Sequence, residues 1–141
     1  MQIRTILVAL DGSAPSGRAL AMAEELAAAY SARVVLTTVM ERQVLLGGEF
    51  TTLHEPSSDA QALVRKGLEE RARALSTRGC RAEVCVAIGE PCATLLELAG
   101  RYEATMIVSG RSGKGAVARL VMGSVTTSLL HRSTIPILVV P

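Results

Sequence analysis

A glycine-rich stretch late in the chain has the residue types and the spacing that suit an anion. An apolar run ending at Ser109 is followed by Gly110 and Gly113, and further on by Gly123 and Ser124. Glycine lets the backbone approach an anion closely, and the first N–H groups of a helix point toward it with the positive end of the helix dipole. Residues 104–141 contain no Asp or Glu, but they do contain basic side chains, among them Arg111, Lys114, Arg119 and Arg132. This stretch therefore predicts a phosphate-binding site.

The composition limits the classes of protein to which the chain can belong. A length of 141 residues suits one domain, which we expect to span residues 1–141. With 49% hydrophobic but only 2% aromatic residues, the core must consist of Val, Ile, Leu and Ala, and runs such as residues 6–10 favour a parallel sheet buried on both faces. The net charge of +2 and the scarcity of aromatic side chains argue against nucleic-acid binding.

The cysteines and the apolar segments indicate the environment of the chain. Cys80, Cys85 and Cys92 are odd in number and lack the C-x2-C spacing of zinc sites or redox pairs, so they predict free thiols in a reducing compartment. The N-terminus lacks the regions of a signal peptide, and no apolar segment approaches the roughly 18 residues that span a bilayer. We expect a cytoplasmic, soluble protein that does not contact a membrane.

Strand and helix patterns alternate along most of the chain. Strands are predicted at residues 3–10, 34–40, 82–88, 105–109 and 136–140, and helices at about 13–30, 57–78, 92–102 and 123–132. Residues 41–56 show no clean periodicity and predict a long loop. This loop is either a lid or partner-contact surface, or a variable connection whose apolar side chains fold back on the core. We favour the second interpretation.

Five strands alternating with four helices predict an α/β fold. The expected architecture is a single doubly wound, Rossmann-like domain with a five-stranded parallel sheet of order 3-2-1-4-5 and helices on both faces. In that order the connections diverge between the first and fourth strands, so a crevice opens at their carboxyl ends. Asp11 follows the first strand and Gly110 follows the fourth, which brings both to the same crevice.

Several better-known motifs do not fit. Gly113-Lys114-Gly115 does not complete the Walker A pattern G-x4-G-K-[ST], which excludes a P-loop enzyme. The loose match to G-x-G-x-x-A lacks an acidic residue about 20 positions later, which argues against NAD or FAD. A G-x-S-x-G elbow is missing, and a phosphoacceptor receiver domain would need an acidic pair after the first strand. Asp11, Ser124 and His131 could form a triad only on paper, because His131 is better explained by its place near a helix end.

The pattern Gly110-x2-Gly113-x9-Gly123-Ser124 resembles the ATP-binding signature of the universal stress protein family. The resemblance covers the whole chain. Residues 8–13 are similar to the opening strand and turn of the family, residues 35–39 to its second strand, residues 89–91 to its third turn, and residues 136–140 to its closing strand. The spacing together with these four matches in order makes the resemblance specific.

The resemblance implies a nucleotide site made of residues from four regions. Val39 would supply a backbone contact to the base, and the N–H groups and hydroxyls that open the last helix would hold the phosphates. The implied residues are Ala9, Leu10 and Asp11 beside adenine and ribose, Val39, then Gly110, Arg111, Ser112 and Gly113 around ribose and phosphates, and Gly123, Ser124, Val125 and Thr126 at the phosphates. No catalytic residue and no protein metal ligand is assigned.

The resemblance also implies a function. It implies a regulatory or stress-response module that binds ATP or a related adenine nucleotide, with Mg²⁺ bridging the phosphates. It further implies a homodimer, which we expect to form through the edge strand at residues 136–140. Two alternatives stay open: an enzyme that hydrolyses ATP slowly, and an interaction module that binds no nucleotide. Fast turnover is not expected because Asp11 is the only acid that the sequence places near the site.

Overall fold

Short apolar strands form the centre of the molecule and long amphipathic helices cover them. The computed structural model describes residues 2–111 and 122–141. The elements in chain order are β1 (Thr5–Ala9), α1 (Ala14–Tyr30), β2 (Arg33–Met40), β3 (Gln43–Gly47), β4 (Phe50–His54), α2 (Ser58–Thr77), β5 (Arg81–Ile88), α3 (Pro91–Arg101), β6 (Met106–Gly110), α4 (Ser124–Arg132) and β7 (Ile137–Val140).

The main sheet has five parallel strands in the order β5-β2-β1-β6-β7. When the core strands are numbered by themselves, this order is the predicted 3-2-1-4-5, so the predicted fold class is confirmed. β1 lies in the middle, and the side chains of Ile6, Leu7 and Val8 are completely buried. Strands that are buried on both faces read as continuous apolar runs, which explains why the sequence pattern identified them.

Helices cover both faces of this sheet. On one face, α1 and α2 contribute residues such as Ala23, Leu68 and Leu75 to a cluster that includes Ile6 and Val34 of the strands. On the other face, Leu95 and Leu98 of α3 and Leu129 of α4 pack in a cluster with Leu7 and Ile107. No helix in the described part of the chain is long and apolar enough to cross a membrane.

Local capping explains where the helices begin. The Ser13 hydroxyl accepts the N–H of Ser16 at the start of α1, and the Ser57 hydroxyl accepts the N–H of Ala60 at the start of α2. α3 is capped by the Glu90 carboxylate, which accepts the N–H groups of Cys92 and Ala93 at 3.1 Å and 2.6 Å. The sequence pattern predicted only a turn at Glu90.

The prediction for residues 41–56 is wrong. β3 and β4 form an antiparallel hairpin with Gly47 paired to Phe50, and Gly48 adopts a φ of +58° in the tight turn between them. Its apolar side chains do not fold back on the core: Val44, Leu45, Leu46, Phe50 and Leu53 are all exposed. The hairpin escaped detection because apolar residues lie on both of its faces, which removes the alternation by which a strand is recognised.

Candidate functional site

The predicted crevice lies where β1 and β6 end side by side. Ala9 of β1 and Ser109 of β6 form the last pair of the parallel ladder between these two strands. From these strands the chain continues to α1 on one face of the sheet and to α4 on the other. Because the two connections diverge, the carboxyl ends of β1 and β6 border a crevice at the switch point of the sheet.

The turn after β1 presents Asp11 at the surface of this crevice. One carboxylate oxygen of Asp11 accepts the N–H of Ser13 at 2.9 Å, and Gly12 takes a φ of +81° that a residue with a side chain would adopt only with strain. The second carboxylate oxygen has no hydrogen-bond partner among residues 2–111 and 122–141. It can therefore accept a hydrogen bond from a hydroxyl group of a ligand.

Main-chain groups of Val39 face the same crevice. Leu10 donates its N–H to Thr37 O at 2.8 Å, so Thr37 directs its polar backbone atoms toward β1. The backbone N–H and C=O of Val39 point in the same direction as those of Thr37, because alternate residues of a strand share a direction. The pairing of β1 with β2 ends at Thr37, so β1 provides no partner opposite Val39. Leu10 O is taken by the Thr38 hydroxyl at 2.9 Å. The N–H and C=O of Val39 are thus directed to the crevice, with no partner in the described part of the chain.

Gly110 is enclosed by the first turn of α1. A Cβ atom at this position would lie 2.8 Å from the carbonyl carbon of Pro15 and 2.9 Å from the backbone N of Ser16. These are backbone atoms that cannot move aside cheaply. Close packing of β6 against α1 is therefore a reason for glycine here, in addition to the approach of a ligand that the sequence suggested.

Hydrogen bonds hold the start of α4 against the end of β6. The Thr126 hydroxyl donates to Gly110 O at 2.8 Å and lies 3.3 Å from the Ser109 hydroxyl, and all three groups are buried. The N–H of Gly123 donates to Arg111 O at 2.8 Å. Residues 111 and 123 are thereby brought together, although eleven residues separate them in the sequence. The Thr126 hydroxyl serves in this contact, so Thr126 offers a ligand its N–H.

The first turn of α4 exposes a set of backbone donors. Gly123 is the N-cap residue and no side chain in the described ranges caps the helix, while Thr127 is the first residue whose N–H reaches an acceptor in the turn, Gly123 O. Among the described residues, the N–H groups of Ser124, Val125 and Thr126 meet no acceptor, which leaves them available to an anion. Ser124 is exposed, Val125 is half-buried and Thr126 is buried.

The structure thus brings most of the predicted site residues together at one end of the sheet. Arg111 follows β6 directly, and its backbone N–H donates to Val140 O of β7 at 2.7 Å. Ser112 and Gly113 lie outside the described residues. In the described ranges, no group of three His, Cys, Asp or Glu side chains is arranged to hold a metal ion.

Comparison with known proteins agrees with this architecture. Residues 2–141 match the family model described as "Universal stress protein family". The chain belongs to the universal stress protein family. A relative from Thermus aquaticus, "Universal stress protein in QAH/OAS sulfhydrylase 3'region", is 33% identical over 97% of this chain and 98% of its own length. The resemblance inferred from the glycine spacing is confirmed at the level of the family.

Two solved universal stress proteins share the fold. UspA from Lactobacillus plantarum superposes with a TM-score of 0.82 at 20% identity, over 100% of this chain and 99% of that one. A second structure, titled "Crystal structure of universal stress protein in complex with cAMP", has a TM-score of 0.73 at 27% identity and covers 99% of this chain and 98% of that one. The second neighbour is thus a family member whose crystals contain an adenine nucleotide.

Proposed function

We propose that this universal stress protein binds an adenine nucleotide, with ATP as the expected ligand, and that occupancy regulates its association with a second copy or with a partner. The proposal is carried by one observation: the N–H groups of residues 124–126, which meet no acceptor among the described residues, lie in the first turn of a helix that is pinned to the carboxyl end of β6. The structural neighbour that was solved in complex with cAMP supports the same class of ligand.

The phosphates would lie at the first turn of α4. Three converging N–H groups and the helix dipole favour negative charge there. Residues 104–141 carry no carboxylate that would oppose it. The predicted contributions of Ser112 and Gly113 would complete the cradle from the segment that follows Arg111.

The base would contact Val39. Adenine presents an amino donor next to a ring-nitrogen acceptor, whereas guanine presents a carbonyl oxygen in place of that amino group. The C=O and N–H of Val39 can pair with the amino donor and the ring-nitrogen acceptor of adenine. With guanine, the C=O of Val39 would face the carbonyl oxygen of the base, so two acceptors would oppose each other. Asp11 would accept a ribose hydroxyl through its unpartnered carboxylate oxygen.

Mg²⁺ would be held chiefly by the nucleotide. This ion keeps several waters and commonly takes one or two carboxylates together with substrate phosphates, so a site without a dedicated ligand cluster fits it. Asp11 is the carboxylate in the described ranges that stands beside the crevice.

Regulation would pass from the crevice to β7. Arg111 belongs to the predicted nucleotide stretch and its N–H is hydrogen-bonded to Val140 O. β7 is an edge strand of the sheet, with open backbone groups on its outer side, and is the surface through which we propose the homodimer. A ligand that shifts Arg111 would therefore shift this edge.

Calorimetric titration of the purified protein with ATP, AMP, cAMP and GTP tests the proposal. We expect the adenine nucleotides to bind and GTP to bind about 5- to 150-fold more weakly, because a mismatched hydrogen-bond pair costs about 1–3 kcal/mol. A second measurement looks for nucleotide that stays bound through purification. The purified protein is denatured and removed, and the supernatant should then contain the released nucleotide. Absence of binding by every adenine nucleotide would refute the proposed function.

A further inference from the structure

The β3–β4 hairpin is an apolar surface that the protein itself does not cover. Leu46 is 83% exposed and Phe50 is 76% exposed. The strand sequences QVLLG and FTTLH contain no Asp, Glu, Lys, Arg or Pro, the residues by which proteins usually protect a free strand edge. An isolated two-stranded hairpin is at best marginally stable in water. The hairpin therefore has the properties of a segment that pairs with another strand.

A second unpaired surface lies at the edge of the main sheet opposite to β7. β5 is an edge strand, and a groove of about 480 Å³ runs between it and α2. Ala82 and Val84 of β5 line this groove together with Arg65, Glu69, Ala72, Arg73 and Ser76 of α2. The lining thus combines apolar side chains with two positive charges and one negative charge.

The open edge of β5 can accept a further strand. Gly89 donates its N–H to Met40 O, so the odd-numbered residues of β5 direct their N–H and C=O groups toward β2. The even-numbered residues consequently direct theirs outward, away from the sheet. Ala82 and Val84 thus offer both backbone hydrogen bonds and an apolar surface to whatever enters the groove.

Charge on the two surfaces is complementary. Arg65 and Arg73 form no ion pair or side-chain hydrogen bond with any residue in the described ranges, although both stand four residues from Glu69. Glu49 occupies the exposed turn of the hairpin and is likewise without a partner there. A carboxylate at the tip of a hairpin whose strands contain no Asp, Glu, Lys or Arg matches a groove lined by Ala82, Val84 and two arginines.

We propose that the hairpin of one copy lies along the outer edge of β5 in a second copy, with Glu49 beside the arginine pair Arg65 and Arg73. Each hairpin strand has five residues, or about 17 Å at about 3.3 Å per residue, which is long enough to reach beyond its own domain. The contact would satisfy the open edges of both elements and cover the exposed apolar side chains. It involves neither the nucleotide crevice nor β7.

A charge-swap series measured by sedimentation velocity at one fixed protein concentration tests this contact. Glu49→Arg alone, and Arg65→Glu with Arg73→Glu, should each lower the weight-average mass at least about twofold, because each change breaks a contact that joins two copies. The triple variant that combines all three changes should restore the mass. Arg71→Glu, on the same helix but outside the groove lining, is the matched control and should leave the mass unchanged.

The outcomes separate clearly. A β7 contact would contribute equally to every member of the series, so it does not hide the effect. A wild-type mass no greater than that of the variants would overturn the proposal. So would a loss of mass that the triple variant fails to reverse, since the two surfaces would then not touch each other. Hydrogen exchange gives an independent readout: the outward amides of Val84 and Val86 should be protected in the wild type and exchange faster in Glu49→Arg.

Discussion

Two separate reasons for a glycine at position 110, packing and the predicted approach of a ligand, are not distinguished by the sequence. Its position before the predicted phosphate segment suggests close approach of a ligand. The structure adds that the space of its missing side chain is filled by Pro15 and Ser16 of α1. The packing requirement operates whether or not a ligand is bound, so it can be measured without one.

Gly110→Ala should destabilise the fold. The added Cβ would be under 3 Å from backbone atoms of α1, and overpacking of this kind costs about 1–3 kcal/mol. The free energy of unfolding from urea titration measures the effect. Gly17→Ala is the control, since nothing lies within 4 Å of its Cβ position, and alanine in place of glycine within a helix adds about 0.5–1 kcal/mol. Equal stability of the two variants would contradict the packing argument.

The N-termini of the helices in this fold differ in how many N–H groups they leave for an external anion. The first N–H groups of α4 meet no acceptor in the described part of the chain, whereas α3 begins with the Glu90 carboxylate already bound to its first turn. A helix end that is capped by its own side chain has fewer donors left for a ligand. This difference favours α4 over α3 as the place for an external anion.

Ser124→Pro should weaken ATP binding while the fold persists. Proline is tolerated at the first position of a helix, and Gly123 has φ −63° and ψ 153°, a conformation suited to the residue before proline. The change removes one N–H donor, and a hydrogen bond to a charged group is worth about 1.5–3 kcal/mol, or about 10- to 100-fold in Kd.

Ser124→Ala separates the two groups of Ser124, because it removes the hydroxyl but keeps the N–H. Calorimetric titration with ATP should therefore rank the affinities as wild type, then Ala, then Pro. Unchanged affinity in the proline variant would show that the first turn of α4 does not hold the phosphates.

Glu90 should make the stability of α3 depend on pH. The N–H groups of Ala93 and Cys92 hold the pKa of the Glu90 carboxyl below its ordinary value, with a smaller contribution from Arg132. Because the pKa is lower in the folded state, this stabilisation is fully present above the ordinary glutamate pKa of about 4.3 and is lost as the pH falls through the depressed folded value.

Glu90→Gln should consequently be less stable than the wild type at pH 7, and the two should converge in acid. Urea unfolding at a series of pH values gives the comparison, with Glu97→Gln as the control for an exposed glutamate. A difference that stays constant from neutral to acid pH would rule out the carboxylate as the cap.

At the scale of the molecule, Arg33 joins regions that are far apart in the sequence. Its guanidinium donates to the Thr5 hydroxyl at 3.1 Å, to the Glu83 carboxylate at 2.8 Å and to Tyr102 O at 2.8 Å. One side chain thus links β1, β2, β5 and the end of α3. The ion pair with the half-exposed Glu83 adds little by itself, so most of the benefit comes from the two neutral acceptors.

Arg33→Lys should lower the free energy of unfolding by about 1–3 kcal/mol, because a single ammonium group cannot reach acceptors that lie in three directions. Urea unfolding monitored by circular dichroism measures the loss. Arg4→Lys is the matched control, since the Arg4 side chain forms no hydrogen bond or ion pair with another described residue, and it should change stability little. A loss no larger than that of the control would mean that Arg33 does not link these regions.

Much of the architecture could be predicted from local patterns. Continuous apolar runs marked the buried strands, Ser13 and Ser57 marked helix starts, and the alternation of strands with helices led to the parallel sheet order. The glycine spacing led to the family, and the predicted strand order led to a crevice between the first and fourth core strands, from which the chain does continue to opposite faces of the sheet. These features follow from the chain because each depends on residues that are close together in sequence, or on the right-handed rule for crossovers.

Tertiary structure decided the rest. Only the packing of β6 against α1 shows why Gly110 cannot carry a side chain, and only the approach of α4 to β6 shows that the Thr126 hydroxyl is used internally. The β3–β4 hairpin and the groove beside β5 likewise became visible only in three dimensions. Each of these depends on which surfaces meet across long separations in the chain, and local propensity and periodicity carry no information about such meetings.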